Sequence, residues 1–266
     1  MKPSKLYKKD FFELSSAEKK EKSDYIKSQE TIDITKISLY SKLSMAVRHN
    51  LSLFPNNLVV LQDEKNTSDL EAINSKFYDL IHKEGALERD VLNYINHTPA
   101  YHIVCGILMD RFPFGHHECY LFKEFCLGSK YRADYMIIGK GSGGYEFVLV
   151  EFEKPEGRIT LKDGHIGEAI RKGIFQVEDW KAWIEGNFNE LSEDLMSVKG
   201  DETMPSELQK YDSTRFHYVV VCGLRSDFSD KTYRTAREKA KNLGIHLIHH
   251  DNLYKNAVEL LKRDTF

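Results

Sequence analysis

Three acidic residues lie at the ends of two neighbouring apolar runs, in types and spacing that suit metal chemistry. Asp134 lies at one end of the first run, and Glu151 and Glu153 close the second, two residues apart. Because side chains alternate faces along a β-strand, Glu151 and Glu153 share one face, while Phe152 and Lys154 share the other. Three carboxylates that converge at strand ends form a hard oxygen site for Mg²⁺ or Mn²⁺. A metal held there can activate water and stabilise charge on a scissile phosphate.

The stretch between the two runs determines whether these carboxylates can meet. It contains Gly141-Ser142-Gly143-Gly144, a composition typical of a hairpin turn. A hairpin pairs the two runs as antiparallel strands and brings Asp134 and Glu151 to matching ends. A solvated acidic rim is the alternative interpretation of the same residues, and the turn favours the metal site over it.

A helical pattern follows the second run. Apolar residues recur at 166, 169, 170, 174, 177, 180, 183 and 184, which is the spacing of an amphipathic helix. Lys172, Gln176 and Trp180 are separated by four residues and therefore lie along one face. A strand-strand-helix unit sets that face beside the carboxylates. Solvated side chains on a helix surface are the alternative for Lys172 and Gln176, and we interpret Trp180 and Trp183 as core residues.

Several short motifs along the chain combine into a recognisable pattern. In chain order they are Glu88-Arg89-Asp90-Val91-Leu92-Asn93-Tyr94-Ile95-Asn96-His97-Thr98-Pro99, Leu127-Gly128, Arg132-Ala133-Asp134, Val150-Glu151-Phe152-Glu153-Lys154-Pro155, Ala169, Gln176-Val177-Glu178-Asp179-Trp180-Lys181-Ala182-Trp183, Val219-Val220-Val221-Cys222-Gly223-Leu224-Arg225-Ser226 and His250-Asp251-Asn252-Leu253. Taken together, over residues 84–263, they resemble the PD-(D/E)xK nuclease superfamily and, within it, the C-terminal domain of Shedu-type antiphage defence proteins. Their order and spacing carry the resemblance, since each motif alone is short.

The resemblance implies a DNA endonuclease that hydrolyses phosphodiester bonds in antiphage defence. It implies that Asp134 and Glu151 bind Mg²⁺, with Mn²⁺ as a substitute, and that Glu88 completes the metal shell directly or through water. A first-turn glutamate stabilised by the helix dipole is the alternative for Glu88. In this interpretation Gln176 orients the attacking water or a phosphate, and Lys172 stabilises negative charge on the phosphate.

One position departs from the family pattern. Related domains usually read Glu-Leu-Lys-Arg-Pro where this chain reads Glu151-Phe152-Glu153-Lys154-Pro155, so a glutamate replaces the expected lysine. Lys154 is adjacent but lies on the opposite strand face. Three interpretations stay open. Glu153 is a further metal ligand or orients the attacking water, or Lys172 supplies the positive charge from the helix, or the chain is a nucleic-acid-binding or sensing module on a nuclease fold without cleavage.

Composition limits any contact with DNA to local clusters of basic residues. The chain has 266 residues, of which 41% are hydrophobic and 30% charged, and its net charge of −3 excludes a binder held to nucleic acid by overall charge. One basic cluster surrounds the predicted site: Arg158, Lys162, Arg171, Lys172 and Lys181. A second cluster, interpreted as a solvated helix face, comprises Lys231, Arg234, Arg237, Lys239 and Lys241. The sequence has no apolar leader and no apolar run of about 18 residues, so we expect a cytoplasmic protein.

Two regions are predicted from the patterning. Residues 1–83 form a helical N-terminal extension, with capping boxes at Ser15-Ser16-Ala17-Glu18 and Ser68-Asp69-Leu70-Glu71 and an amphipathic segment over 37–53. Residues 84–266 form the nuclease-like domain, an α/β fold in which a mixed central sheet is flanked by helices.

In the second region, segments with the alternating pattern of a strand are interspersed with segments that have the spacing of an amphipathic helix. We predict a helix over 84–97, a short helix or strand near 101–110, strands over 119–126, 131–138 and 146–153, a helix over 166–186, an acidic loop over 190–213, a strand over 216–222, a helix over 230–243, a strand over 245–249 and a helix over 252–263. The last two strands flank a helix, which predicts a parallel pair.

An apolar stripe in the extension bears on assembly. It comprises Ile37, Leu39, Leu43, Ala46 and Val47. Packing on the main domain would leave a monomer, whereas pairing with the same stripe of a second copy would give a homo-oligomer. Symmetric closure favours the second arrangement, and the family resemblance points the same way. We therefore expect a homo-oligomer whose other partner is DNA and which has no membrane partner.

Overall fold

A five-stranded mixed β-sheet forms the centre of the molecule. The structure, a computed structural model, describes residues 3–29, 40–156, 159, 161 and 166–266. The strands are β1 (Glu118–Leu127), β2 (Tyr131–Gly141), β3 (Gly144–Phe152), β4 (Phe216–Val221) and β5 (Ile245–Ile248), in that order across the sheet. Strands β1 to β3 pair antiparallel, and β3 to β5 pair parallel. The predicted α/β class with a mixed sheet is confirmed.

The β2–β3 hairpin has the predicted turn. Gly141 pairs with Gly144, and the φ angle of Gly144 is 96°, a conformation that glycine adopts readily and other residues adopt only with strain. The register places Tyr135 opposite Val150. One step further along both strands, Asp134 and Glu151 stand at matching positions.

Helices cover both faces of the sheet. They are α1 (Ser16–Gln29), α2 (Met45–Leu51), α3 (Leu61–Thr67), α4 (Leu70–Ile81), α5 (Glu88–His97), α6 (Tyr101–Cys105), α7 (Ile107–Arg111), α8 (Glu168–Met196), α9 (Asp230–Leu243) and α10 (His250–Leu260). On one face Leu149 packs in a cluster with Val177 and Trp180 of α8. On the other face Val150 packs in a cluster with Val91 of α5. Burial on both faces explains why β3 is an almost continuous apolar run.

Several predicted boundaries differ from the structure. The helix predicted over 84–97 begins at Glu88, and the final helix covers 250–260 rather than 252–263. The region near 101–110 forms the short helices α6 and α7, not a strand. None of the described helices is both long enough and apolar enough to cross a membrane.

Helix α8 is longer than the sequence pattern indicated. It continues to Met196 through a kink at Asn187, where φ is −133° and ψ is 24°. The loop predicted over 190–213 is therefore wrong for residues 190–196. Leu191 and Leu195 lie in the same core cluster as the first half of the helix, so the apolar stripe resumes after the kink and keeps the chain helical.

The two predicted capping boxes have different outcomes. At α1, Ser15 N donates to Glu18 Oε2 at 2.8 Å and Glu18 N donates to Ser15 Oγ at 3.3 Å, which is the reciprocal pair expected. At α4 the cap is Asp69, whose Oδ1 accepts from Ala72 N at 3.0 Å. The predicted box starting at Ser68 is displaced by one residue because the helix starts at Leu70.

Part of the N-terminal region covers the edge of the sheet. Val59 N donates to Cys119 O and Leu121 N donates to Asn57 O, both at 2.8 Å. These bonds pair backbone groups of β1 that an edge strand would otherwise expose. Residues 57–59 thus extend the hydrogen bonding of the domain that follows them in the sequence.

The apolar stripe of the extension is buried within a single chain where the structure describes it. Leu43, Ala46 and Val47 are buried, whereas Ile37 and Leu39 lie outside the described residues. The three described members are therefore not an exposed surface for a second copy, and they give no support to assembly through this stripe.

Candidate active site

The candidate site lies at one end of two inner strands, where β2 begins and β3 ends, and it contains Asp134, Glu151 and Glu153. Phe152 N donates to Asp134 Oδ2 at 2.7 Å, which ties the carboxylate to the neighbouring strand. Glu151 and Glu153 are each only 4% exposed. Such burial is uncommon for glutamate unless it is paired or binds a metal.

Strand alternation explains which side chains reach this edge. Phe152 is fully buried on the opposite face, where its ring packs edge-on against Tyr135 with centroids 5.7 Å apart. Lys154 is exposed. The two glutamates therefore face α8, as the period of two predicted.

The three carboxyl groups are difficult to ionise together. Burial first, and then the charges of Asp134, Glu153 and Glu88, together raise the pKa of Glu151 to about 10. Burial likewise raises the pKa of Asp134 to about 7 and that of Glu153 to about 7. A cluster that resists carrying its negative charge is suited to a cation, which would favour the ionised carboxylates.

Helix α8 brings a lysine and a glycine to this edge. Lys172 Nζ lies 3.8 Å from Glu153 Oε1, and Lys172 lowers the pKa of all three carboxyl groups. A Cβ atom on Gly173 would stand 2.8 Å from Val220 Cγ1 and 3.4 Å from Glu153 Oε1. The helix backbone therefore approaches the sheet closely at the residue after Lys172.

Two buried oxygens at the site lack a hydrogen-bond partner among the described residues. Neither Glu153 Oε1 nor Gln176 Oε1 has a hydrogen-bond partner in the part of the chain that the structure describes. Orphaned acceptors beside carboxylates are hard oxygen donors, so these residues fit Mg²⁺ or Mn²⁺ chemically. Within the described ranges, no group of three or more acidic, histidine or cysteine side chains is arranged to hold a metal ion.

Glu88 approaches the site from the opposite face of the sheet. It is the first residue of α5, and its charge raises the pKa of Asp134, Glu151 and Glu153. Gly85 N also donates to a carboxylate oxygen of Glu156, which joins the start of α5 to the chain leaving β3. The structure therefore brings Glu88 near the three carboxylates without showing it in direct contact with them.

Several described members of the two basic clusters make contacts within the chain. Lys181 Nζ donates to Leu243 O at 3.1 Å, so this lysine joins α8 to the end of α9. Arg158 and Lys162 lie outside the described residues. In the second cluster, Arg234 pairs with Glu238 at 3.0 Å and Lys239 with Glu178 at 3.7 Å, which agrees with an ordinary solvated helix face.

Gly173 is the site residue that the sequence pattern did not identify, and it gives a sharp prediction. Alanine is intrinsically better than glycine in a helix by about 1 kcal/mol. At Gly173 the added methyl group would collide with Val220 and press on Glu153. We expect Gly173→Ala to lower the melting temperature despite its better helix propensity, because overpacking at this contact costs stability.

A second glycine of the same helix serves as the control for this prediction. A Cβ atom on Gly186 would meet nothing within 4 Å. Gly186→Ala should therefore raise the melting temperature slightly. Equal effects of the two substitutions on the melting temperature would contradict the close approach at Gly173.

Comparison with known proteins identifies the family of this chain. A family model described as Shedu protein SduA, C-terminal, matches residues 50–254. This range includes the sheet, both helical layers and all the site residues discussed above, and it begins within the region predicted as the N-terminal extension. No curated protein matches the chain.

Proposed function

The chain belongs to the family of Shedu protein SduA C-terminal domains, and from this premise we propose that it is a metal-dependent DNA endonuclease that hydrolyses phosphodiester bonds. Membership of the Shedu family implies a role in antiphage defence. The observation that carries the enzymatic proposal is the pair of buried glutamates, Glu151 and Glu153, beside the half-buried Asp134 at the adjoining ends of two paired strands.

Asp134, Glu151 and Glu153 are the residues we propose to hold Mg²⁺ or Mn²⁺, with Glu88 contributing directly or through water. When bound, such an ion supplies Lewis-acid stabilisation of the scissile phosphate and lowers the pKa of a water molecule. The protein contributes the oxygen donors, their fixed position at the sheet edge and partial exclusion of water by α8.

Lys172 and Gln176 are proposed to bind the substrate. The side chain of Lys172 is 60% exposed and reaches the carboxylates at one end, so it can contact a phosphate that lies over the site. A cation in this position stabilises the charge that develops on the phosphate. Gln176, one helical turn later, would orient the attacking water or a phosphate oxygen with its amide group.

The proximity of Lys172 to Glu153 supports one interpretation of the glutamate at 153. The family pattern has a lysine at this position, and here the positive charge arrives from α8, with Nζ 3.8 Å from Glu153 Oε1. We propose that Glu153 and Lys172 act as a pair, in which the carboxylate binds the ion and positions the ammonium group.

Cleavage is tested directly with the full chain. Purified protein is incubated with supercoiled and with linear DNA in Mg²⁺, Mn²⁺, Ca²⁺ or EDTA, and Glu151→Gln protein is treated in parallel. We expect nicked or linear products only with the wild-type protein in Mg²⁺ or Mn²⁺. Products that form in EDTA, or equally with the Glu151→Gln protein, would overturn the assignment of the site.

The second candidate function is DNA binding or sensing without cleavage. The glutamate at 153 favours it, because the family pattern has a lysine at this position. Tight binding of DNA with no products in any metal would support this alternative.

The raised pKa of Glu151 gives a test of the site that does not depend on activity. In EDTA the folded state holds the Glu151 proton up to about pH 10, whereas the ordinary pKa is 4.5. The folded state therefore binds more protons than the unfolded state between these values, and the residue lowers stability as pH rises. We expect Glu151→Gln to raise the melting temperature at pH 8 by about 2–4 °C, and to have no such effect near pH 4.

Mg²⁺ should stabilise the wild-type protein and the Glu151→Gln protein to different extents. A ligand that binds only the folded state raises its melting temperature, so Mg²⁺ or Mn²⁺ should stabilise the wild-type protein more than the Glu151→Gln protein. Differential scanning fluorimetry across a metal titration measures this difference. Equal metal-induced shifts in the two proteins would show that the ion binds elsewhere.

Assembly into a homo-oligomer remains a proposal that the family resemblance motivates. The described part of the apolar stripe is buried within one chain, so Leu43, Ala46 and Val47 do not supply the interface. Light scattering on the full chain at micromolar concentration tests the proposal, and we expect a mass that is a multiple of 30.9 kDa. A monomer under these conditions would contradict it.

A further inference from the structure

Two unusually exposed apolar side chains adjoin the candidate active site. Phe175 is 61% exposed and Leu87 is 57% exposed, the two highest values among the large hydrophobic residues that the structure describes. Scattered exposed apolar residues need no explanation. Phe175, however, lines a surface depression of α8 together with Lys172 and Gln176, and Leu87 precedes α5, which packs on the opposite face of the sheet.

Phe175 belongs to the segment of α8 that reaches the carboxylates. It lies three residues after Lys172, whose Nζ is 3.8 Å from Glu153 Oε1, and one residue before Gln176. Three residues correspond to a rise of about 4.5 Å along a helix. The exposed ring is therefore within about one turn of the residues proposed to contact the phosphate.

Leu87 lies at the other boundary of the site. It immediately precedes Glu88, whose charge acts on all three carboxyl groups. The nearby Gly85 N donates to Glu156, three residues beyond Glu153. The chain around Leu87 is thus held against the segment that leaves β3.

Basic groups complete the same edge of the sheet. Arg132 stands two residues before Asp134, and its side chain is 59% exposed. Lys130, in the β1–β2 turn, has its Nζ 4.7 Å from the centroid of the Tyr131 ring. With Lys172 these residues add positive charge on β2, on the turn that precedes it and on α8, where it can attract the phosphates of DNA.

A surface that combines cations with exposed apolar side chains is suited to DNA whose bases are unstacked. In an intact duplex the base faces are stacked and inaccessible, and a protein that binds it mainly contacts phosphates and groove edges. Apolar and aromatic side chains gain binding energy when bases are unstacked and present their faces. An aromatic ring beside a catalytic centre therefore indicates a substrate with accessible base faces.

We propose that Phe175 and Leu87 contact unpaired bases on either side of the scissile phosphate, so that the preferred substrate is DNA with a short single-stranded segment. This inference rests on the proposed nuclease function and specifies its substrate. Phe175 stacks on one base, and Leu87 packs against a base on the other side of the site.

Binding is measured with the full chain carrying Glu151→Gln, so that no cleavage occurs. The probes are a duplex with a bubble that contains 2-aminopurine and the same duplex fully paired, both in Ca²⁺. We expect quenching of 2-aminopurine in the bubble and loss of this quenching when Phe175→Ala is added. Affinity for the bubble should fall about 5- to 100-fold, the scale of one lost stacking contact, while affinity for the paired duplex changes little.

Further variants separate stacking from folding. Phe175→Trp should restore quenching, and Leu87→Ala should weaken bubble binding without removing the quenching at Phe175. Met196→Ala is the control, since it removes an exposed apolar side chain from the far end of the same helix, where Met196 is 42% exposed. It should have no effect on either probe.

The inference and the proposed function fail in different ways. If the wild-type protein cuts DNA and Phe175→Ala binds and cuts bubble and duplex substrates as the wild type does, the inference is overturned and the nuclease assignment stands. If Phe175→Ala instead changes the mass in light scattering with no change toward DNA, the ring contacts a second copy of the chain, which also overturns it. Quenching that depends on Phe175 in a protein that cuts no DNA supports the inference and overturns the nuclease assignment.

Discussion

Replacing Asp134 by asparagine or Glu151 by glutamine is expected to reduce metal-dependent DNA cleavage by about 10³-fold or more, the upper range for losing one essential electrostatic group. The two residues stand at matching positions of paired strands, and both have a raised pKa because they are buried and share one site. An amide keeps the volume of the side chain but carries no charge. The substitution therefore removes the ion's ligand and leaves the packing beneath it in place.

The measurement is the rate of plasmid nicking at saturating Mg²⁺, with a thermal melt of each variant to verify folding. Glu146→Gln is the matched control, because Glu146 lies on the same strand and its carboxylate pairs with His217 at 2.6 Å, away from the site. The control should cut DNA at the wild-type rate. Wild-type cleavage by the Asp134→Asn or the Glu151→Gln protein would show that the carboxylates serve another purpose.

The sequence was sufficient for the part of the site that depends on local geometry. A glycine-rich turn fixes the register of the hairpin, and the register fixes which side chains meet across two strands. The relation of Asp134 to Glu151, and the shared face of Glu151 and Glu153, follow from two periodicities and one turn. No information about distant parts of the chain was needed.

The features that the sequence did not indicate depend on contacts between distant segments. Gly173 matters because Val220, on a strand 47 positions later, presses against it, and a helical glycine carries no sign of such a neighbour. The extension of α8 to Met196 depends on burial of Leu191 and Leu195 beyond a kink. The loop was predicted there from the acidic character of the segment, although its Glu, Leu and Met residues are good helix formers.

The apolar stripe of the N-terminal region illustrates a different limit. Periodicity shows that a face must be covered, but it does not identify what covers it. The stripe predicted both an intramolecular partner and a second copy, and burial of Leu43, Ala46 and Val47 within one chain supports the first for those residues. A surface contact such as the one proposed for Phe175 has the same limit, which is why its partner must be identified by binding experiments.

The last prediction concerns Glu153 and Lys172, which we expect to act as a unit. Glu153→Gln and Lys172→Gln should each lower the cleavage rate by about 10²-fold, the scale of one lost electrostatic stabiliser. Because their charged groups are 3.8 Å apart, loss of either one also misplaces the other. The double variant should therefore be little slower than the slower single variant, since groups that work together are not additive.

A cycle of rates for the four proteins, measured at several Mg²⁺ concentrations, distinguishes the roles within the pair. A metal-ligand role for Glu153 predicts that its loss raises the Mg²⁺ concentration needed for half-maximal rate, whereas loss of Lys172 lowers the maximal rate alone. Lys154→Gln is the control, because Lys154 adjoins Glu153 in the sequence but is exposed on the other face of the strand. Multiplicative losses in the double variant would show that the two residues act independently, and near-normal rates in both single variants would exclude both of them from the reaction.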